Sequence, residues 1–133
     1  YRGMINRELI RLKVVQIVYA YYQNDGKNID TAEKELFFSL SKAYDLYNYL
    51  LLLMVEINRI AVRAVETAQS RYERIHEGLP PSRKFIDNRF ILQLEENKQL
   101  LDFRENQKKN WTDEEEFVRS LYKQIIESDY YNE

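Results

Sequence analysis

The chain's single histidine forms a Glu-x-x-His pair, Glu73 and His76, whose spacing puts two potential metal ligands on one helix face. Carboxylate-bridged two-metal sites need a second such pair, which a chain with one histidine cannot supply. His76 also precedes the Gly78-Leu79-Pro80-Pro81 break, where an imidazole suits the C-terminal end of a helix. The pair therefore favours a structural role, and no metal site is predicted.

The sequence also lacks the residues and motifs that other kinds of catalytic site require. Cysteine is absent, which excludes disulfides, thiolate zinc sites and cysteine nucleophiles. Three scattered glycines cannot build a phosphate-binding loop, a nucleophile elbow or a dinucleotide fingerprint. The acidic run 113–116 offers oxygen ligands for a divalent cation, but it also suits the first turn of a helix, where carboxylates face free N–H groups. We therefore expect no enzyme, no catalytic residue and no cofactor.

The charges are unevenly distributed although the net charge is only −2. Residues 1–22 carry four basic side chains and one acidic side chain, whereas residues 112–133 carry seven acidic and two basic side chains. Arg7 and Arg11 are one helical turn apart, so both project from one side, where two guanidinium groups can bind successive phosphates. Lys13 projects from a different side. This basic segment of residues 1–22, which we call the basic front, is the strongest indication of nucleic-acid binding.

Tyrosines near this basic front have two interpretations. Exposed aromatic rings beside arginine stack on single-stranded bases, whereas buried tyrosines of a helical core have the same spacing. Tyr21 shares the apolar stripe of the first helix with Ile17 and is predicted to be core. The choice stays open for Tyr19 and Tyr22. Leu12 and Val15 add apolar surface on another side of the helix. We therefore expect neighbouring elements to bury this helix over much of its circumference.

The elements that position these side chains are predicted to be helices, because few glycines and prolines argue against a turn-rich β fold. Apolar residues recur at three- and four-residue steps along the chain. Ser39 and Ser41 suggest a break between two of the predicted helices. The longest apolar run, 49–55, is far shorter than the roughly 20 residues of a membrane span, so no membrane contact is expected. We predict one all-α domain over 1–133, a bundle of four to five helices with one unusually long. The predicted helices cover about 5–23, from Asp30 onward, about 42–76, about 85–104 and 112–128.

The first helix resembles the opening helix of the NusB family of bacterial transcription antitermination factors. The residues that carry the resemblance are Arg7-x-x-x-Arg11-x-x-x-x-Gln16-x-x-Tyr19, in which the segment 16–19 matches the family's Gln-x-Leu-Tyr element. Residues 45–51 resemble the family's third helix, and residues 84–90 are similar to the expanded middle of longer members. The family's C-terminal motifs are absent. The resemblance therefore implies the N-terminal part of a longer NusB-like protein.

The resemblance also implies a function. NusB-like proteins are cytoplasmic and bind the single-stranded boxA element of ribosomal RNA leaders, together with ribosomal protein S10 (NusE), in a complex with RNA polymerase. Arg7 and Arg11 would contact RNA phosphates, with Lys13 as a further cation of the RNA-binding set. Gln16 and Tyr19 match the motif and are expected to position the helix rather than to read bases. The alternative is a helical protein–protein interaction or dimerisation module without nucleic acid, and a homodimer is compatible with both.

Overall fold

The computed structural model describes residues 6–26, 28–107 and 110–133, and all regular structure within them is helical. The all-α class with one unusually long helix is confirmed. Over these residues there are six α-helices, with a short 3₁₀ turn at Trp111–Glu114. The helices are α1 (Arg7–Gln23), α2 (Ile29–Ile75), α3 (Arg89–Glu96), α4 (Lys98–Asn106), α5 (Glu115–Ile126) and α6 (Asp129–Asn132).

The helices group into two compact units, which we call unit 1 (residues 1–48) and unit 2 (residues 49–133). The long helix α2 contributes to both units. The prediction of one domain over 1–133 stays a prediction. Among the described residues, no helix combines the length and the hydropathy that crossing a membrane requires.

Unit 1 consists of α1 and the first part of α2, and side-chain caps define where its helices begin. The Asn6 side chain accepts a hydrogen bond from the Leu9 amide at 2.9 Å and starts α1. The Asn28 side chain does the same for α2, accepting from the amides of Asp30 and Thr31 at 3.0 and 3.3 Å. The helix therefore begins at Ile29, one residue before the predicted start at Asp30, and Asp30 lies in its first turn rather than capping it.

A glycine follows the end of α1 at a backbone position that favours this residue type. Gly26 has a φ of 57°, a left-handed conformation that glycine adopts without steric cost. A Cβ at this position would lie 3.1 Å from the Tyr21 ring. Gly26 therefore lets the chain turn tightly against Tyr21, as the sequence Asn24-Asp25-Gly26 predicts.

Helix α2 is continuous from Ile29 to Ile75, so the break predicted at Ser39 and Ser41 is wrong. The Ser41 hydroxyl donates to the Phe38 carbonyl at 2.7 Å, so it is satisfied within the helix and does not interrupt it. The helix has 47 residues and a length of about 70 Å at 1.5 Å per residue. It ends where His76 adopts a φ of 55°.

Unit 2 holds the apolar core of the described residues, built along the second part of α2. Three clusters follow one another, and the 3₁₀ turn and α5 supply Trp111 and Val118 to them. The buried members are Leu52, Leu94 and Leu100 in the first cluster, Ile57, Ile60 and Val118 in the second, and Ala61, Val65 and Ile86 in the third. Unit 2 therefore carries the packed core that can hold surface residues in place.

The single helix predicted over about 85–104 is two helices, α3 and α4. Asn97 adopts an extended backbone conformation between them. Its side chain accepts a hydrogen bond from the Leu100 amide at 3.0 Å, which caps α4. The apolar spacing continues through this break because Leu94 and Leu100 both pack in the first cluster. Periodicity alone therefore does not reveal the boundary.

Candidate nucleic-acid interface

All five predicted RNA-binding residues lie on α1, which belongs to unit 1. Four of the five side chains are exposed and one is half-buried. The exposed ones are Arg7, Arg11, Gln16 and Tyr19, and the half-buried one is Lys13. The helix thus presents most of the predicted set to solvent, but exposure alone does not place the five side chains on one surface.

The two arginines form a common surface, and the other polar members do not join it. Arg7 and Arg11 are separated by about 40° around the helix axis, whereas Gln16 lies about 180° from Arg7. Lys13 lies about 240° from Arg7 in the same direction. Among the described residues neither arginine makes an ion pair, so their donors are available to a ligand. The structure therefore brings together the arginine pair and separates Lys13 and Gln16 from it.

Two tyrosines extend the arginine surface toward the C-terminal end of α1. The side chains of Tyr19 and Tyr22 are 66% and 75% exposed, so the choice that the sequence left open is resolved in favour of exposure. Tyr21 is half-buried, and its ring meets that of Tyr22 edge-to-face with centroids 5.7 Å apart. The exposed rings of Tyr19 and Tyr22 begin about 12 and about 17 Å beyond Arg11 along the helix axis. Cations followed by exposed aromatic rings are the composition of single-strand binding platforms.

This face of α1 also carries apolar residues, among them Val15, whose apolar surface the sequence already indicates. Val15 and Val18 lie within about 40° of Arg11 around the helix axis, and both are exposed. None of the residues of α1, all of which the structure describes, is buried. The expectation that neighbours bury α1 over much of its girth is therefore wrong, because within unit 1 only one side of the helix is shielded.

A second group of arginines lies in unit 2, where α2 and α5 face each other. Glu115 Oε1 accepts a hydrogen bond from Arg119 Nη2 at 2.8 Å and lies 3.6 Å from Arg63 Nη1. The hydrogen bond and charge of Arg119 hold the pKa of Glu115 below its usual range, and the charges of Arg59 and Arg63 add to this effect. The sequence places Arg59 and Arg63 four residues apart on α2, but it does not indicate that Arg119 of α5 meets them.

The residues considered for metal binding have local structural roles. The Glu73 carboxylate accepts a hydrogen bond from Gln69 at 2.7 Å, and His76 ends α2. Asp113 and Glu114 lie in the 3₁₀ turn, and Glu115 is engaged by arginine. Within 6–26, 28–107 and 110–133, no three acidic or histidine side chains converge in a way that could hold a metal ion.

No protein-family model, no curated protein and no solved structure matches the chain. The resemblance to the NusB family therefore stays a prediction that rests on the residues of α1 and α2 that carry it. A functional proposal can also rest on the exposed arginines and tyrosines of the α1 surface.

Proposed function

We propose that this chain is an RNA-binding module of a NusB-type antitermination factor that acts on boxA-type single-stranded leader RNA. The observation that carries the proposal is the exposed surface of α1, on which two arginines without an ion-pair partner among the described residues precede two exposed tyrosines. Cations beside flat aromatic rings match the two chemical features that recur along a single RNA strand, its phosphates and its bases. The arginine and Gln-x-x-Tyr spacing that resembles the NusB family supports the same proposal.

The geometry of α1 fits an RNA strand that runs along the helix. Arg7 and Arg11 are about 6 Å apart along the axis, and each guanidinium can donate two parallel hydrogen bonds to one phosphate. The positive end of the α1 helix dipole adds to the potential at the same end. Tyr19 begins about 12 Å beyond Arg11, which leaves room for intervening nucleotides before a base stacks. Ribosomal protein NusE and RNA polymerase are the protein partners of this proposal.

The test is fluorescence anisotropy on labelled boxA RNA, with and without NusE. Reversing both charges with Arg7→Glu and Arg11→Glu should weaken binding by roughly 5- to 150-fold, which corresponds to 1–3 kcal/mol. The logarithm of affinity should also depend less steeply on salt, because fewer phosphates are neutralised. Arg89→Glu together with Lys98→Glu is the matched control, since it reverses two exposed cations of unit 2. Equal loss in both double variants, or binding that ignores salt, would exclude α1 as the RNA site.

A second candidate function, a helical protein–protein interaction or dimerisation module, is favoured by the apolar surface of unit 1. Among the described residues of unit 1 only Asn48 is buried, and no apolar side chain is. Phe37 and Phe38 on α2 are both mostly exposed, as are several aliphatic residues. Monomeric proteins rarely leave large contiguous apolar patches uncovered, so this composition is typical of an interaction surface.

Sedimentation equilibrium tests this second function. The chain should show a mass above one protomer, and Phe37→Lys with Phe38→Lys should shift it toward the monomer without loss of helicity, because both side chains are exposed. Leu79→Lys is the control, since Leu79 is an equally apolar exposed residue of unit 2. A wild-type chain that stays monomeric at high concentration would rule out self-association.

A further inference from the structure

A groove of about 530 Å³ lies in unit 2 between the second part of α2 and α5. Its floor is apolar and small, formed by Ile60, Ala64 and Ala68. Its walls carry three arginines, Arg63 and Arg71 from α2 and Arg119 from α5. This size falls within the range of small-ligand sites, and the combination of an apolar floor with cationic walls suits an anion that carries an apolar or planar part.

The two arginines at one end of the groove are held by a shared carboxylate. A single oxygen of Glu115 bonds Arg119 at 2.8 Å and approaches Arg63 to 3.6 Å, so it fixes guanidinium groups that belong to two helices. Each guanidinium has five N–H donors, and these contacts with Glu115 use at most two of them. The remaining donors are available to a ligand.

The groove has an excess of positive charge and neutral hydrogen-bond donors. Arg71 has no ion-pair partner within the part of the chain that the structure describes, so the three arginines outweigh the one carboxylate of Glu115. Thr67 contributes a hydroxyl to the lining. Tyr122 contributes a second hydroxyl, and burial, with a smaller effect of Tyr131, raises its pKa further above neutral pH. Such a set of donors recognises phosphate oxygens.

We propose that this groove binds the phosphate of a nucleotide, with Arg71 and Arg119 on the phosphate oxygens and the alanine floor under the sugar or base. Ala64 and Ala68 leave the space that larger side chains would fill, and arginines of both α2 and α5 line the same groove. The nucleotide can belong to an RNA strand, in which case the inference rests on the proposed function, or it can be free. The groove lies in unit 2 and is built from residues other than those of α1.

The test compares Arg71→Gln and Arg119→Gln with Arg74→Gln, a control that removes an exposed cation of α2 that does not line the groove. The first probe is a labelled single-stranded oligouridylate in fluorescence anisotropy, and the second is ADP in isothermal titration calorimetry. Each groove variant should weaken binding of its probe roughly 3- to 10-fold, and on the oligonucleotide it should reduce the salt slope by about 0.7. Far-UV circular dichroism checks that each variant keeps its helices.

The outcomes separate this inference from the proposed function. Loss in the groove variants but not in the Arg7/Arg11 double variant supports the groove and contradicts α1 as the RNA site. Loss in the α1 variant alone, with Arg71→Gln equal to Arg74→Gln for both probes, overturns the groove and leaves the proposed function standing. Binding of ADP without binding of oligouridylate identifies a free nucleotide as the ligand of the groove, and the proposed function is then decided by the boxA RNA assay. Failure of both probes to bind wild type overturns the inference.

Discussion

Trp111→Ala should lower the free energy of unfolding of unit 2 by about 3 kcal/mol, the lower end of the range for removing a large aromatic side chain from a core. The indole Nε1–H donates to the Tyr49 carbonyl at 2.7 Å. Its ring lies 4.9 Å from the Tyr49 ring and stacks on Phe117 at 6.0 Å between centroids. Trp111 also packs against two of the three buried clusters, so its removal weakens both.

Urea denaturation followed by far-UV circular dichroism measures this effect. Trp111→Phe separates the two contributions, since it keeps an aromatic ring but loses the Nε1–H donor, and should cost about 1 kcal/mol. Tyr130→Ala is the matched control, because its ring is 91% exposed and its loss should leave the transition within about 0.5 kcal/mol. A loss for Trp111→Ala no larger than that of Tyr130→Ala would show that the indole does not join the clusters.

The helices of this chain were predictable where their ends depend on local chemistry. The Asn24-Asp25-Gly26 turn and the Gly-Leu-Pro-Pro segment end helices through backbone preferences that any neighbourhood respects. Ser39 and Ser41 misled because a serine hydroxyl can bond either outside a helix or back to its own helix, and Ser41 does the latter. The helix boundary at Asn97 was not predicted because a capping side chain leaves the apolar spacing of the sequence intact.

The same distinction applies to the candidate sites. Features set by residues close together in the sequence were predictable, and features set by the packing of distant segments were not. Arg7 and Arg11 face one way because helix geometry fixes the direction of residues four apart, which a sequence reveals directly. Whether Val15 and Tyr19 are covered depends on neighbours, and the apolar pattern of α1 looks the same in both cases. Arg63 and Arg119 belong to different helices and meet only through Glu115 after unit 2 has packed. No spacing rule along the chain predicts that groove.

Asn58→Asp should be among the most damaging single changes in unit 2 at neutral pH. Asn58 is 2% exposed, and its Nδ2 donates to a carboxylate oxygen of Glu95 on α3 at 2.6 Å. Its Oδ1 is buried without a hydrogen-bond partner among the described residues. The substitution removes the donor and places a second carboxylate against Glu95 out of contact with water. An unpaired buried charge of this kind costs about 3–5 kcal/mol.

The pH dependence of Asn58→Asp tests this cause. Burial and the Glu95 charge raise the pKa of the introduced carboxyl above the value of about 4 that it has in the unfolded chain. The native state therefore holds a proton that the unfolded state has released, so the penalty grows as pH rises above about 4. Urea titrations should show a large loss of stability near pH 7.5 that shrinks near pH 4.5, where a protonated carboxyl can donate to Glu95 again.

Asn88→Asp is a control for which we expect stability to depend on pH in the opposite direction. Asn88 is exposed and caps α3, its Oδ1 accepting from the Phe90 amide at 2.9 Å. An aspartate caps a helix as well as asparagine, and its charge interacts favourably with the helix dipole, which lowers the carboxyl pKa. Stability should therefore be unchanged or slightly higher near pH 7.5, and any gain should disappear as pH falls through that pKa. If Asn58→Asp behaved like Asn88→Asp, Asn58 would not be buried against Glu95, and the contact between α2 and α3 would be wrong.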